Sequence, residues 1–379
     1  MVRLSHSAVN KYLTCPFEYK LSYVDKLRSK YQSSALLFGS AMDNCLEHYV
    51  KNKDFDAALE VFNATWTNQK LNKIPTDLKL LTTINYSSRD IDLDLLENED
   101  FVSIDETLGK GASGKINDIV EKKKSKSFQF LTKREKELLN FTSWLCLKRK
   151  GFLLLAKAKE IIDENMIELL GTQIKVELEN EDGDSSLGYA DLIVRWKGYA
   201  KPIVMDFKTS SPDYKKDSVR TSPQLSGYVL GLSKQFENTD LGGYIVLNKN
   251  ILKNKIKICK ECGHDGTGKT HRKCDALIEV RKYIAPPPKG KKEFEQERCN
   301  GEWEETFTRS VKSQIIIDKI TPEFTQETLN NYDSVCSSIK AKEFPQNFDA
   351  CTRFGIMKCD YFNFCMHGKT DDLEKKNEE

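Results

Sequence analysis

The sequence has no long hydrophobic run and no dominant charge. Its longest apolar stretch, around Gly151–Ala156, is far shorter than the roughly 20 residues a membrane span needs. The opening MVRLSHSAVNKYL lacks the extended apolar core of a secretory signal. These two absences argue against a membrane-spanning or secreted protein and lead to the expectation of a soluble, cytoplasmic one. With 59 Lys+Arg against 57 Asp+Glu, the net charge is +2. That balance decides nothing about nucleic acid, because a local basic face can sit inside a neutral total.

What is present is material for a core. Hydrophobic residues make up 39% of the 379 positions, which excludes disorder throughout. At about 150 residues per domain the length suits two or three units, or one domain with insertions. The first 25 residues read as helical, with Ser5 as N-cap and a Cys-Pro turn. Helices are predicted through ALLFGSAMDNCLEHYV and DAALEVFNATW, and one or two more from Phe130 to about Met166. Between them, residues 72–127 are polar and glycine-punctuated, and read as irregular helices and mobile loop. The pattern then changes to β-β-β-α-β: IELLGTQIKVELE, SLGYADLIVRW, KPIVMDFKT, a helix from near Ser222, and GGYIVLN. The second and third strands are joined by a short turn around Gly198. A Cys-containing insertion spans 254–310, followed by a strand SQIIIDKI, a helix Pro322–Lys342 and a second Cys-rich segment. The predicted organisation is a helical region 1–165, an α/β core 166–253, the insertion 254–310, a C-terminal part 311–369, and a disordered tail 370–379.

Asp206 and Lys208 stand two apart in VMDFKTS, so on a strand they share a face. Asp191 lies on the preceding strand of the hairpin. Two acids and a lysine at one sheet end suit a hard divalent ion such as Mg²⁺, which binds carboxylate oxygens and leaves room for a phosphate. The lysine would orient or deprotonate the attacking water and stabilise charge on phosphorus. Gln224 and Tyr228, four apart on the next helix, share a face and would hold the same phosphate or lysine. Spacing alone equally allows two strand-end acids at a solvated edge, with a lysine that pairs with one of them.

The order GYAD, MDFKTS, QLSGY resembles the active-site motifs of the PD-(D/E)xK nuclease superfamily in its RecB-like branch. LSHSAVNKYLTCPFEYKLSYV resembles the opening of that branch, shared by AddB-type nucleases and CRISPR-associated exonucleases. The resemblance implies a restriction-endonuclease-like α/β core, a mixed sheet flanked by helices. It makes Asp191 and Asp206 metal ligands, Lys208 the catalytic lysine, and Gln224 with Tyr228 the Q-x-x-x-Y motif. One position departs. Where the family usually has a metal-binding histidine, the block FGSAMDNCLE has Asp43, an acid that can itself ligate Mg²⁺ or Mn²⁺. Glu47, one turn later, is a spare ligand, and His48 points elsewhere; Asp43 as a plain solvated residue is the alternative.

Eleven cysteines in an intracellular chain suggest metal more than disulfides, and eight fall into two groups. Cys351, Cys359 and Cys365 need a fourth thiolate, and Cys15 is the natural donor. The resemblance implies a [4Fe-4S] cluster on these four, clasping the chain ends; zinc in the same ligands or buried free thiols are the alternatives. Cys259, Cys262, Cys274 and Cys299 read as a zinc-ribbon-like site, with His264 and His271 as substitute ligands and plain loop cysteines as the alternative. Gly263–Thr270 satisfies a P-loop pattern, and GKGASGK at 109–115 nearly does. Neither is expected to bind nucleotide: the first follows a CxxC directly, where a P-loop requires a preceding strand, and the second lacks the final Ser/Thr.

Together these features predict a Mg²⁺- or Mn²⁺-dependent DNA exonuclease with an iron–sulfur clasp and a zinc-binding insertion. By resemblance it would act on single-stranded ends in recombination, repair or replication. Blocks of this form are familiar from phage-encoded nucleases, which would place it in a host cytoplasm. A helicase or recombination protein is a conceivable partner, and no membrane is. The basic run at 121–126 and the insertion are candidate DNA contacts. Competing readings are a DNA-binding protein of the same fold without catalysis and a regulatory metal sensor. A P-loop NTPase is the weakest.

Overall fold

Three β-rich runs in the middle of the chain become the centre of one mixed sheet. The computed structural model describes residues 1–68, 84–85, 90–124, 131–260, 278–284, 293–299, 303–353 and 357–375. It divides into two compact units, one made of Met1–Lys249 and Ser313–Glu379, the other of Asn250–Lys312. The sheet strands are β1 (Arg3–Ser5), β2 (Met166–Glu179), β3 (Ser185–Trp196), β4 (Ile203–Ser210), β5 (Leu241–Cys259) and β6 (Trp303–Lys319). The principal helices are α1 (His6–Thr14), α2 (Ser34–Asn52), α3 (Phe55–Asn68), α4 (Asn98–Leu108), α5 (Ile116–Lys124), α6 (Lys133–Asn165), α7 (Pro223–Leu232) and α8 (Pro322–Lys340).

The spatial order is β1-β3-β4-β5-β6, with β2 also paired to β3. Strands β2, β3 and β4 form an antiparallel meander, whereas β4 pairs parallel with β5 and β1 parallel with β3. Burial explains the centre. Ile203 to Phe207 are buried without alternation, the signature of a strand covered on both faces. A parallel β4–β5 pair needs a crossover, and α7 supplies it. Leu225, Val229 and Leu232 of α7 pack on Val176, Ala190, Val204 and Val246 of the sheet.

Local chemistry sets the helix starts. Ser5, Ser222 and Thr321 accept hydrogen bonds from the amides of Ala8, Leu225 and Phe324, and Pro223 and Pro322 follow at a position whose N–H has no helical partner. Helix α6 opens on a reciprocal capping box between Thr132 and Glu135 and continues as a single element. At Gly151 it meets Phe62 of α3 so closely that an added Cβ would lie 2.3 Å from the ring.

Two expectations are corrected. Arg3–Ser5 is a strand paired with Ser185–Leu187, because Ser5 must be extended to cap α1 and Leu4 is drawn into the core. The polar composition of 370–379 predicts disorder, yet Leu373–Lys375 pairs antiparallel with Leu27–Ser29, where burial of Leu373 outweighs that composition. Within residues 72–127, α4 and α5 form, and the basic run overlaps the end of α5. The second unit contains an antiparallel pair, Ile278–Ile284 with Glu293–Cys299. Among the described residues no helix is long and apolar enough to cross a membrane.

Candidate active site

Asp206 and Lys208 project from β4, Asp191 from the adjoining β3, Gln224 and Tyr228 from α7, and Asp43 from α2. Sheet register and helix crossover bring the five α/β-core residues to one end of β4. Asp206 is 2% exposed, and its Oδ2 forms an ion pair with the Lys208 ammonium. Gln224 joins the set: its Nε2 donates to Asp206 Oδ1 at 3.1 Å and lies 3.2 Å from the Tyr228 hydroxyl, and its Oε1 accepts from Lys208 at 3.4 Å. The Phe207 amide donates to Asp191 Oδ2 at 3.4 Å.

Burial and mutual charge couple the acids to one another. Burial, reinforced by the Asp206 charge and opposed by Lys208, lifts the Asp43 carboxyl to about 7. Burial, followed by Asp206 and then Asp43, lifts Asp191 to about 8. Burial pulls Lys208 down, but the Asp206 ion pair more than restores it, so the ammonium ends above its ordinary range and stays charged at neutral pH. Glu47, the spare ligand, instead pairs with Lys51 on the same helix. The Nδ1 of His48 is buried without a hydrogen bond.

Three side chains join the site that the motifs do not single out. Gln173 sits opposite Asp191 in the β2–β3 register, with its backbone at φ 49°, and its amide donates to Asp191 Oδ1 at 3.4 Å. A left-handed non-glycine residue beside a functional acid is a place where strain is held by its surroundings. Tyr244, the β5 partner of Asp206, lies under the Lys208 ammonium, 5.8 Å from ring centre to Nζ. His6 opens α1; burial first, then the Lys208 charge, depresses its imidazole to about 4. The parallel β4–β5 register places Tyr244, and chain separation hides the other two from any local spacing rule.

The residues offer a hard cation suitable donors. Asp206 Oδ2 is buried with the Lys208 ammonium against it, and burial raises the two flanking acids so that they hold their protons up to about 7 and 8. A divalent ion would share the first with Lys208 and displace protons from the others. Among the described residues, however, no three His, Cys, Asp or Glu side chains are gathered at ligand reach. The acids face one another with Lys208 neutralising Asp206.

Cys15, Cys351, Cys359 and Cys365 line one small cavity together with Glu18 and Tyr361. Burial, then Cys351 and Cys15, raises the Cys365 thiol, and burial pushes Cys359 up to about 12. They share the cavity without closing to ligand spacing. Chain-end contacts surround them: Asn347 donates its amide to Cys15 Sγ at 3.5 Å and its side-chain amide to the Thr14 carbonyl at 2.9 Å. The Tyr361 hydroxyl donates to the Leu27 carbonyl at 2.7 Å. Of the other group, Cys259 is buried, Cys262 and Cys274 lie outside the described residues, and Cys299 ends a strand. His264, His271 and the P-loop pattern at Gly263–Thr270 also lie outside them. At 109–115 the loop follows a helix instead of a strand, and Ser113 donates its amide to Asp105 Oδ1 at 2.8 Å. The amides of Ser113, Gly111 and Ala112 hold that carboxyl below its usual range. The place a phosphate would take is filled by the chain's own acid.

The PD-(D/E)XK nuclease superfamily matches residues 3–90 and 119–366, a span that contains the whole constellation and all four cavity cysteines. No curated protein matches the chain significantly.

Proposed function

The chain belongs to the PD-(D/E)XK nuclease superfamily, and from that premise we propose that it is a divalent-metal-dependent DNA exonuclease acting on single-stranded ends. Members of the superfamily are generally nucleases, usually use Mg²⁺ or Mn²⁺, and the family implies a DNA substrate. The observation that carries the reading is the linked set Asp206–Lys208–Gln224–Tyr228, with the buried acids Asp191 and Asp43 coupled to it. Asp206, Asp191 and Asp43 would hold the cation, whose chemistry is to stabilise negative charge on the phosphate. Lys208, charged because Asp206 sustains it, would donate to a phosphate oxygen or orient the attacking water. Gln224 fixes both partners of that ion pair and so keeps the ammonium aimed at the reaction centre.

Recombination, repair or replication is the expected setting. A [4Fe-4S] clasp on Cys15, Cys351, Cys359 and Cys365 is part of the same proposal: the four share a cavity, though not at ligand spacing, and the contacts around it join the chain ends. Zinc on Cys259, Cys262, Cys274 and Cys299 rests on spacing alone. The test is end-labelled linear and circular DNA, single- and double-stranded, incubated with Mg²⁺, Mn²⁺ or EDTA. Loss of linear single strands that needs metal and vanishes in Lys208→Ala is the expected result. DNA bound but left intact by wild type and variant alike would establish the non-catalytic alternative instead.

A further inference from the structure

A groove of about 200 Å³ adjoins the constellation, between α1, α7 and α8 over the β2–β3 hairpin. Gln224 and Tyr228 line it, and Gln224 bonds Asp206, Lys208 and the Tyr228 hydroxyl, so the groove meets the constellation at this pair. Val176, Leu178, Leu187 and Leu329 give it a buried or half-buried apolar floor, and exposed Asn10, Gln326 and Asn331 give it a polar rim. Among the described residues that line it, the carboxylates are Glu179 and Asp333, the His6 imidazole is held neutral by burial, and there is no lysine or arginine. A phosphate would be repelled there. A flat, neutral group with hydrogen-bonding edges would be accepted.

We infer that this groove seats the nucleobase of a nucleotide next to the scissile phosphate. The inference rests on the nuclease reading and deepens it. With the phosphate at Asp206 and Lys208, the neighbouring base has the groove beside it, and only an unpaired base can leave its stack to enter. Selection for single strands would then reside in α1, α7 and α8. Two glycines make the space. At Gly188 a Cβ would lie 2.5 Å from the Tyr228 ring, which therefore rests directly on β3. At Gly227 an added Cβ meets only Leu178 Cδ1, at 4.0 Å, so a larger side chain there would extend into the groove without touching the acids or the lysine.

The experiment is single-turnover cleavage, with Mn²⁺, of single-stranded oligodeoxynucleotides carrying an abasic site at successive positions near the cut end. Wild type and Gly227→Leu are compared, with Lys208→Ala as the catalytic control. Loss of the base at one position is expected to slow wild type by about tenfold, the scale of one seated base. Gly227→Leu should slow the intact substrate by a similar factor yet cut the abasic one at the wild-type rate, which also shows that the variant is folded. Cleavage indifferent to every missing base, or a variant that slows intact and abasic substrates alike, overturns the inference and leaves the nuclease reading standing. Absence of any Lys208-dependent cleavage by wild type removes both.

Discussion

At the scale of single residues, the site is a balance between burial and charge. Without a cation, the unfolded chain releases the Asp43 and Asp191 protons near 3.8, whereas the folded chain keeps them to about 7 and 8. Between those values the folded state binds more protons, so these two acids make the metal-free protein less stable as pH rises from about 4 to 8. A divalent ion reverses that cost by replacing the protons. The rise in Tm on adding Mg²⁺ should therefore be larger at pH 8 than at pH 5.5, which differential scanning fluorimetry can check. Asp43→Asn should raise the metal-free Tm at pH 8, leave it nearly unchanged at pH 4, and shrink the metal-induced gain. Lys208→Ala should cut the single-turnover rate by about 100-fold or more, the usual cost of removing a positioned charge at a reacting phosphate. A metal response at pH 8 no greater than at pH 5.5 would show that the acids do not share a cation.

At the scale of elements, close approach without side chains positions the machinery. Gly151 lets α6 lie against Phe62 of α3, itself fully buried. Alanine normally favours a helix interior by about 1 kcal/mol over glycine. Here the added methyl has no space, and overpacking costs about 1–3 kcal/mol. Gly151→Ala should thus lower the urea midpoint despite its higher helix propensity. Gly188→Ala makes a different prediction, because the displaced group is Tyr228. Its denaturation midpoint should shift modestly, while the cleavage rate falls by as much as about 100-fold if the Gln224–Tyr228 pair is moved by an ångström. Equal losses in stability and rate would indicate that Tyr228 serves the fold alone.

At the scale of the whole molecule, the two ends of the chain are brought together. Phe17 donates its amide to the Pro345 carbonyl, Arg28 pairs with Glu374, and the strands Leu27–Ser29 and Leu373–Lys375 hydrogen-bond to each other. A cluster bridging Cys15 to the C-terminal cysteines would reinforce contacts closing a loop of more than 300 residues, worth roughly 6 kcal/mol in a chain-entropy account. Cys15→Ala in anaerobically purified protein should lose iron and brown colour and become open to proteolysis near residues 341–353, while the secondary structure of the sheet persists by circular dichroism. Iron content and protease resistance both unchanged in the variant would dismiss the clasp.

Much of this was legible in the chain, for reasons that differ from place to place. Asp206 and Lys208 could be paired from their spacing because a strand repeats every two residues, and Gln224 with Tyr228 because a helix returns after four. Ser5, Ser222 and Pro322 announced their helices because capping is local chemistry. The sequence thus determined the elements, the β-β-β-α-β order and the acid–lysine–glutamine–tyrosine set. Only the tertiary structure decided that Asp43 is coupled to Asp191 and Asp206, that Gln173 reaches Asp191 while His6 and Tyr244 border Lys208, and that Glu47 turns away to Lys51. It also decided that the amides of the 109–115 loop are taken by Asp105, and that Leu373 leaves a polar tail for the core. Each of those outcomes depends on burial and charge between residues far apart in the chain. Such energies exist only once the sheet has closed and water has been excluded from its end.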